Sequence, residues 1–310
     1  LLCSALTYSM LAGSAWAEYP EKPITFIIPY GAGGTTDIGA RTWGPFIEAC
    51  IGQPIVFLNL PGAGGQLGFA ELAKAAPDGY TLGALPIPTF PTAVITQADV
   101  PFTLDSFELL GNLYGSFVTI NTNDQSGFET LDDLVAAARS GTTINLGITN
   151  VGSDDHLTML KVAKAANIDI TFVPLADSAS TRNAVAGGHI NAAGLSLTDV
   201  TPFQEQLKTL AIAAPERRSE LPDVPTFREL GYDVVGGTTN IVGAPAGVPD
   251  EVVAKLSLCF EQTSTNADFL KVAAERNLIL NPMTLDQTHT FFADEVGKLN
   301  ALWESDPWVK

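Results

Sequence analysis

A glycine-rich loop between a short apolar strand and a helical pattern occurs twice near the start of this chain. The two loops are PYGAGGTTD at residues 29–37 and LPGAGGQ at residues 60–66. Glycine lets the backbone approach a ligand closely, and the first N–H groups of a helix have no partner within it. Two such corners in consecutive strand–helix units predict one polar, anion-binding pocket at the carboxyl ends of parallel strands.

The first loop also contains the residue types that start helices. Pro29 cannot donate to a β-ladder, so the preceding strand is predicted to end there. Thr35, Thr36 and Asp37 commonly cap helices, and a helical pattern continues from Ile38. We therefore expect a helix to open at these residues, with its free N–H groups directed back at the loop.

Strand-type and helix-type segments alternate along the rest of the chain. Strands are predicted at residues 24–28, 54–59, 80–85, 107–111, 117–120, 143–148, 170–174, 190–195 and 207–213. Helices are predicted from residue 38 and at residues 67–76, 131–139, 156–166, 178–187, 250–260 and 285–303. Three prolines at positions 86, 88 and 91 predict a stiff loop that faces the same crevice. The alternation predicts an α/β fold with doubly wound sheets.

The length of 310 residues favours two domains. A polar, turn-rich stretch at residues 121–127 marks a boundary, and a stretch rich in glycine and threonine at 234–247 is expected to return the chain to the first domain. We predict domain 1 at residues 18–121 and 241–310 and domain 2 at residues 122–240. Two lobes joined by chain crossings predict a hinged clamshell.

The composition restricts the class of partner. A net charge of −18 argues against nucleic acid or an anionic membrane as partner. Only 16 residues are lysine or arginine, so an anion site is expected to use backbone N–H groups and hydroxyls. No run of 18 apolar residues occurs, so the sequence predicts no membrane span.

The first 17 residues are uncharged and end in an A-x-A motif, the pattern of a secretory signal peptide. We expect a mature chain that begins at Glu18 and is exported to the periplasm. Cys50 and Cys259 then remain, and two alternatives stay open for them: separate buried core residues or a disulfide.

The motifs do not predict a cofactor or an enzyme. Both glycine loops lack the third glycine of the dinucleotide fingerprint, and neither is followed by Gly-Lys-Ser/Thr. Ser153 and His156 are three residues apart at a helix start, which is the wrong geometry for a nucleophile and its base, so Ser153 is interpreted as an N-cap. An exported hydrolase remains the alternative from a different class. His189 and His289 lack neighbours at ligand spacing, so no metal site is predicted.

Seven motifs occur in order along the chain after residue 18: YPEKPI at 19–24, PYGAGGTTDxxAR at 29–41, NxPGAGG at 59–65, APDGYTL at 76–82, VGSxxHL at 151–157, LPDVPTF at 221–227 and APAGVP at 244–249. In this order they resemble the tripartite tricarboxylate transporter receptors, the Bug-type periplasmic solute-binding proteins. The resemblance implies a two-lobed periplasmic-binding-protein fold of the Venus flytrap type, which closes on a small organic anion. It also implies a monomeric receptor that delivers the anion to a membrane permease of two other subunits.

The resemblance also implies a set of solute contacts. In domain 1 they fall on Tyr30, Ala32, Gly33, Gly34, Thr35, Thr36, Asp37, Asn59, Gly62 and Ala63, and in domain 2 on Asn150, Gly152, Ser153 and the segment from Ser196 to Asp199. Hydroxyl donors are expected from Thr35, Thr36 and Ser153, and backbone N–H donors from Gly33, Gly34, Gly62 and Gly152. Asp37 is assigned to capping its helix or holding a water. Arg41 either pairs with Asp37 or orients the first loop, and Tyr30 is either a core aromatic or a pocket wall.

The chain departs from the family pattern beside the expected pocket. The Val-Pro pair at 173–174 is followed by Leu-Ala and then by Asp177 and Ser178, and residues 238–240 replace the family's tryptophan. Asp177 and Ser178 are therefore added to the predicted site. Asp177 is hypothesised to disfavour a second carboxylate or to recognise an amine or hydroxyl. A sensory receptor that contacts a histidine-kinase ectodomain remains the alternative within the binding proteins.

Overall fold

The computed structural model describes residues 19–96 and 99–309, so the predicted signal peptide at 1–17 lies outside the described residues. The strands are β1 (Ile24–Ile28), β2 (Ile55–Asn59), β3 (Thr81–Ile87), β4 (Phe107–Thr122), β5 (Asn145–Ile148), β6 (Thr171–Pro174), β7 (Ala192–Ser196), β8 (Lys208–Ile212), β9 (Gly237–Pro245) and β10 (Ile279–Met283). The helices are α1 (Thr35–Ile51), α2 (Gln66–Lys74), α3 (Thr89–Thr96), α4 (Leu131–Arg139), α5 (Asp154–Ala166), α6 (Ser178–Ala186), α7 (Leu197–Val200), α8 (Asp250–Ser264), α9 (Ala267–Glu275) and α10 (Leu285–Ser305). Among these described helices, none has the length and apolar character needed to cross a bilayer.

The two lobes of the fold share one long strand. In the first lobe β1 lies between β2 and β3 in parallel, and β9 runs antiparallel between β3 and the first part of β4. From Val118 onward β4 pairs instead with β7 and β8, and β5 lies between β6 and β7 in parallel. The predicted two-lobed α/β fold is confirmed.

The chain passes between the lobes within β4 and again just before β9. At the second crossing, the Gly236 N–H donates to the Ala213 carbonyl, and the Gly236 carbonyl accepts from the Val118 N–H. Both crossings are therefore held by main-chain hydrogen bonds to the second lobe. The domain limits at residues 121/122 and 240/241, and the hinge motion between them, stay predictions.

Two segments differ from the sequence predictions. In the first, glycines lie inside a strand instead of ending it, and in the second, prolines lie inside a strand and a helix instead of a loop. Residues 107–111 and 117–120 belong to one continuous strand, β4, in which register shifts occur around Gly111 and Gly115. A Cβ on Gly115 would lie 2.5 Å from the Thr238 carbonyl oxygen, so glycine allows close strand contact here. Residues 86–91 do not form the predicted loop. Pro86 lies within β3, and Pro91 lies in the first turn of α3, where proline needs no N–H partner. The sequence did not predict α3, α7, α9, β9 or β10.

The core of the first lobe is built around an aromatic cluster on α1. Trp43 is 1 % exposed, and its ring makes edge contacts with Phe26, Phe57 and Phe260, at centroid distances of 4.9, 6.0 and 5.4 Å. These partners come from β1, β2 and α8, so the Trp43 side chain connects α1 both to the sheet and to a neighbouring helix. The packing fixes the axis of α1 and hence the position of its N-terminus.

The second lobe has its own core, and the end of α10 reaches across to it. Residues of β4, β5 and α5, among them Ile120, Leu146 and Met159, form the buried cluster of this lobe. Trp308 packs with Leu157 of α5 and with α10, and Lys164 of α5 lies 2.7 Å from the Asp306 carboxylate. The last described residues therefore contact both lobes.

Cys50 and Cys259 form a disulfide, which decides between the two alternatives left open by the sequence. Their Cα atoms are 5.7 Å apart, and the bond joins the end of α1 to α8 across a sequence separation of 209 residues. A bridge that closes so long a loop restricts the unfolded chain strongly.

Removing this bridge is expected to lower the free energy of unfolding by about 2–5 kcal/mol, because the unfolded state regains the entropy of the long loop. Urea unfolding of the oxidised chain with and without a reducing agent measures the loss. The double variant Cys50→Ala/Cys259→Ala is the control and should unfold identically in both conditions. Equal midpoints for oxidised and reduced wild type would contradict the prediction.

Candidate functional site

A small cavity lies between the two lobes, at the ends of β1, β3, β5 and β7. Its volume is about 70 Å³. A single water needs roughly 10–15 Å³ of such volume, so the cavity has room for about five waters or a ligand of a few heavy atoms. The lining consists of Tyr30, Gly31, Ala32, Gly34, Thr35, Thr36, Gly64, Pro86, Thr89, Thr149, Asn150, Asp154, Ala176, Asp177, Ser178, Ala179, Ser196, Asp199 and Thr238.

Helix α1 begins at the wall of this cavity. The helix starts at Thr35, within the stretch where it was predicted to open, because Gly34 takes the extended N-cap conformation and the threonines form the first turn. Gly34 has no side chain to cap this 17-residue helix, and the Asp199 carboxyl of the second lobe lies against the Thr35 hydroxyl and the Thr35 N–H instead. A helix terminus of this kind attracts negative charge.

Asp37 holds the first glycine loop in place from behind the cavity. Its carboxylate accepts hydrogen bonds from the Gly33 N–H at 3.0 Å, from Arg41 Nε at 2.8 Å and from Asn59 Nδ2 at 3.0 Å. Asn59 Nδ2 also donates to the Tyr30 carbonyl at 3.0 Å. Arg41 therefore makes the predicted ion pair and, through Asp37, also fixes the loop. These polar groups position the loop and do not line the cavity.

The second-lobe loop before α5 uses its polar groups internally. The Ser153 hydroxyl donates to the Asn150 carbonyl at 2.6 Å, contacts the Asp155 carboxylate and caps α5. The Gly152 N–H donates to His156 Nδ1 at 3.0 Å. The predicted donors Ser153 and Gly152 therefore already have partners, and neither residue lines the cavity.

The first-lobe loops and the second lobe approach each other closely across the cavity. A Cβ placed on Gly31 would lie 2.9 Å from Asp177 Oδ2, and one on Gly34 would lie 2.9 Å from Ser178 Oγ. At the second loop, a Cβ on Gly64 would come within 3.0 Å of the Asn150 side chain. Each predicted loop thus uses glycine where the opposite lobe approaches the backbone.

One further hydrogen bond joins the lobes beside the cavity. Thr92 Oγ1 on α3 donates to the Gly152 carbonyl at 2.8 Å, and a Cβ on Gly152 would also lie 2.8 Å from this oxygen. The lobes are therefore in contact both at the cavity and at its border.

Three carboxyl groups, on Asp154, Asp177 and Asp199, face the cavity. Burial raises the pKa of Asp199 to about 6, against the lowering influence of the Thr35 hydroxyl and the Arg182 guanidinium. Burial and the neighbouring Asp155 raise the pKa of Asp154. Asp177 accepts from the Ser180 N–H at 2.7 Å and so caps α6. None of the described lining residues is a lysine or arginine.

The structure brings together about half of the residues that the sequence predicted for the site. The predicted residues that line the cavity are Tyr30, Ala32, Gly34, Thr35, Thr36, Asn150, Asp177, Ser178, Ser196 and Asp199. Those that lie outside the lining are Gly33, Asp37, Asn59, Gly62, Ala63, Gly152 and Ser153. Tyr30 is therefore a pocket wall, and burial raises the pKa of its phenol, which stays neutral. The solute contacts themselves stay a prediction.

Most of the lining residues that were not predicted adjoin predicted ones. Gly31 and Gly64 belong to the two loops, Thr149 and Asp154 flank the loop before α5, and Ala176 and Ala179 flank the α6 start. Pro86 and Thr238 lie in stretches that were expected to border the crevice. Thr89, in the segment interpreted as a loop, has no sequence signal of its own.

His156 is part of the second-lobe packing. Its ring makes an edge contact with Phe172 at 4.7 Å, and burial lowers its pKa to about 4. The Ser153 hydroxyl is directed at Asn150 and Asp155, so serine and histidine do not form the pair that a hydrolase needs. Among residues 19–96 and 99–309, no group of three His, Cys, Asp or Glu side chains is arranged to hold a metal ion.

The two-lobed α/β fold with a small polar cavity between its lobes is the fold of solved periplasmic binding proteins. Residues 40–306 match the tripartite tricarboxylate transporter family receptors. The chain belongs to this family, whose members are receptors rather than enzymes. The predicted family is thereby confirmed.

Individual relatives are similar over most of their length. BugT of Bordetella pertussis is 29% identical over 288 residues, which cover 90% of this chain and 88% of that protein. The UPF0065 protein in the gbd 5′ region of Cupriavidus necator is 28% identical and covers 97% of this chain and 93% of its own. Among solved structures, MatC from Rhodopseudomonas palustris with bound malate has a TM-score of 0.84 at 25% identity, covering 92% of this chain and 99% of its own. Periplasmic binding protein BugD has a TM-score of 0.83 at 24% identity, covering 92% and 98%.

Proposed function

We propose that this chain is an extracytoplasmic solute receptor that captures a small organic carboxylate between its lobes. The observation that carries the proposal is the start of α1 at the wall of an interlobe cavity, where the N-cap residue Gly34 has no side chain and Thr35 lines the wall. The hydroxyl of Thr36, which was also predicted as a donor, donates instead to Asn240 Oδ1 at 3.1 Å. A carboxylate placed there accepts hydrogen bonds from backbone N–H and hydroxyl groups without needing an arginine. MatC, which is similar over almost its whole length, holds malate, a small carboxylate.

The proposed mechanism is ligand-dependent closure. The contacts at Gly31, Gly34 and Gly64 put groups of both lobes around one cavity, so a solute that contacts both favours the closed arrangement. The hinge passes through β4 and the segment before β9. No bond of the solute is made or broken in this cycle.

We further propose that the receptor acts in the periplasm as a monomer and delivers its solute to a two-subunit membrane permease. The family match supports the transport role, and the Cys50–Cys259 disulfide is typical of an oxidising compartment. A role in signalling is the alternative. Genes for a large and a small membrane subunit beside this one, and solute uptake that needs all three proteins, would separate transport from signalling.

A screen of small mono-, di- and tricarboxylates, amino acids and aromatic acids is expected to find at least one that raises the melting temperature by about 4 °C or more. A ligand at 100 times its Kd adds about 2.7 kcal/mol to the free energy of unfolding, and each kcal/mol shifts the melting temperature of a chain this large by roughly 1.5 °C. Thermal unfolding of the purified chain is the measurement. The primary amides of the best compounds are the controls and should give no shift. If no carboxylate stabilises the chain, the proposed function fails.

A further inference from the structure

A second and larger cleft lies beside the interlobe cavity, along the strands through which the chain passes between the lobes. Its volume is about 750 Å³, against about 70 Å³ for the interlobe cavity. Volumes of about 300–1,000 Å³ are typical of sites for small organic molecules. Asp154 and Thr238 line both spaces, and the other residues of the larger cleft do not line the interlobe cavity. The small solute proposed above therefore does not account for this cleft.

Two helices, one from each lobe, form walls of the cleft. On α5 the lining residues are Asp154, Leu157, Thr158 and Lys161, and on α10 they are Phe291, Glu295, Lys298, Leu299 and Leu302. Spacings of three and four residues place each set on one face of its helix. Residues 115–117 of β4 and residues 235–239 at the second crossing complete the lining between the helices. A molecule in the cleft would therefore contact both lobes and the strands that join them.

Much of the cleft wall is apolar. Leu157 and Leu299 are each 5 % exposed and belong to one cluster, which also includes Leu302 and joins α5 to α10. Phe117 and Phe291 line the same cleft and are only partly buried. Removing apolar surface from water is favourable, and a concave wall allows one ligand to cover several such side chains at once. The wall therefore favours a ligand with an apolar body.

Three cationic side chains also line this cleft, in a chain whose net charge is −18. Lys161 is exposed and makes no ion pair among residues 19–96 and 99–309. Arg218 pairs with Glu220 at 3.0 Å, but its Nε atom is buried without a hydrogen-bond partner in the described part of the chain. Lys298 pairs with Glu295 at 2.6 Å. Two cationic groups therefore have donors available for an anion, those of Lys161 and Arg218.

The carboxyl groups of the cleft do not cancel this positive charge. Burial and the neighbouring Asp155 raise the pKa of Asp154 to about 8, so this carboxyl is largely uncharged at neutral pH. Glu295, the other acid of the lining, already has Lys298 as its partner. The cleft therefore combines an apolar wall with an excess of cationic groups, whereas the interlobe cavity has no cationic residue in its described lining.

We propose that this cleft is a second binding site, which takes an organic anion with an apolar body, such as a medium-chain carboxylate. The anionic group would lie at Lys161, with Arg218 as the second cation, and the apolar body would lie along the facing sides of α5 and α10. The site is separate from the interlobe cavity and does not depend on the function proposed above. The rival explanation is that the cleft is only room for the lobes to move about their hinge, and it predicts no binding.

The test is calorimetric titration of the purified full chain with octanoate at pH 7.5. Octanoate is expected to bind at least 10-fold more tightly than 1-octanol, which has the same chain without the charge. Affinity should also rise from hexanoate to decanoate, by up to about fourfold for each added CH₂ that is buried. The interlobe cavity is too small for these chains, so binding there predicts that affinity falls with chain length. Absence of octanoate binding, octanol binding of equal strength, or affinity that falls with chain length would overturn the inference.

Three variants locate the anion within the molecule. Lys161→Glu is expected to weaken octanoate binding at least 10-fold and, because Lys161 lies outside the interlobe lining, to leave binding of the best small carboxylate unchanged. Lys271→Glu is the matched control: it makes the same change of charge at an exposed lysine of α9 that lines neither space, and should leave octanoate affinity unchanged. Gly34→Val, whose side chain would enter the interlobe cavity, should also leave it unchanged.

The melting temperature of each unliganded variant checks that it folds. Equal octanoate affinities for Lys161→Glu and Lys271→Glu would contradict the placement of the anion at α5. Loss of octanoate binding in Gly34→Val would show that the ligand occupies the interlobe cavity, and it would overturn the second site. Because octanoate alone decides these outcomes, they stay distinct from a failure of the small-carboxylate screen.

Discussion

Replacing Gly34 by valine is expected to lower solute affinity at least 100-fold while the unliganded protein keeps its fold. A Cβ at this position would lie 2.9 Å from Ser178 Oγ of the opposite lobe, and the two methyl groups of valine would enter the cavity at the start of α1. Gly34 has φ −90° and ψ 172°, a conformation open to any residue, so the backbone itself is not strained. Calorimetric titration with the best carboxylate measures the loss.

The expected loss of solute affinity in Gly34→Val is caused by the position of the new side chain and not by the loss of a glycine as such. Gly297→Val is the matched control, because a Cβ on this α10 residue meets nothing within 4 Å, and its affinity should equal that of the wild type. Gly34→Ala adds only the Cβ and should give an intermediate loss, since the Ser178 hydroxyl can move slightly. A Gly34→Val protein that binds normally would remove the start of α1 from the site and with it the proposed function.

The parts of the site that are local in sequence could be predicted, because strand, loop and helix start follow one another within a few residues. The first glycine loop and Thr35 are found where the pattern places them, at the end of a parallel strand. The pattern could not show which donors remain free. Whether the Gly33 N–H faces a solute or Asp37 depends on a side chain four residues away, and both choices fit the same residue types.

The contacts across the cavity could not be predicted, because they join residues far apart in the chain. Gly31 and Asp177, or Gly64 and Asn150, become neighbours only when two lobes with separate cores are placed against each other. Asp154 lies in the first turn of α5, where helix-start chemistry explains an acidic residue without any cavity. Its location at the wall follows from the direction of α5 in the second lobe. Asp177 and Asp199 were already predicted site residues, so only the third carboxyl of the cavity, that of Asp154, became visible in three dimensions.

Replacing Trp43 by alanine is expected to lower the free energy of unfolding by about 3–5 kcal/mol, the range for deleting a large buried aromatic side chain. Trp43 is 1 % exposed and contacts aromatic rings from β1, β2 and α8, so its loss leaves a cavity that these elements cannot fill without moving. Part of the loss comes from the edge-to-face ring contacts themselves. Urea unfolding followed by circular dichroism measures the change.

Trp303→Ala is the matched control for this substitution. Trp303 lies near the end of α10, is only partly buried and makes its ring contact with Trp308 at 4.8 Å, so its removal should cost clearly less than the removal of Trp43. Trp43 is a core residue of α1 and does not line the cavity. A Trp43→Ala protein that is folded at low temperature should therefore still bind solute, with affinity reduced less than in Gly34→Val. Equal unfolding midpoints for the two tryptophan variants would show that the aromatic cluster on α1 does not hold the first lobe together.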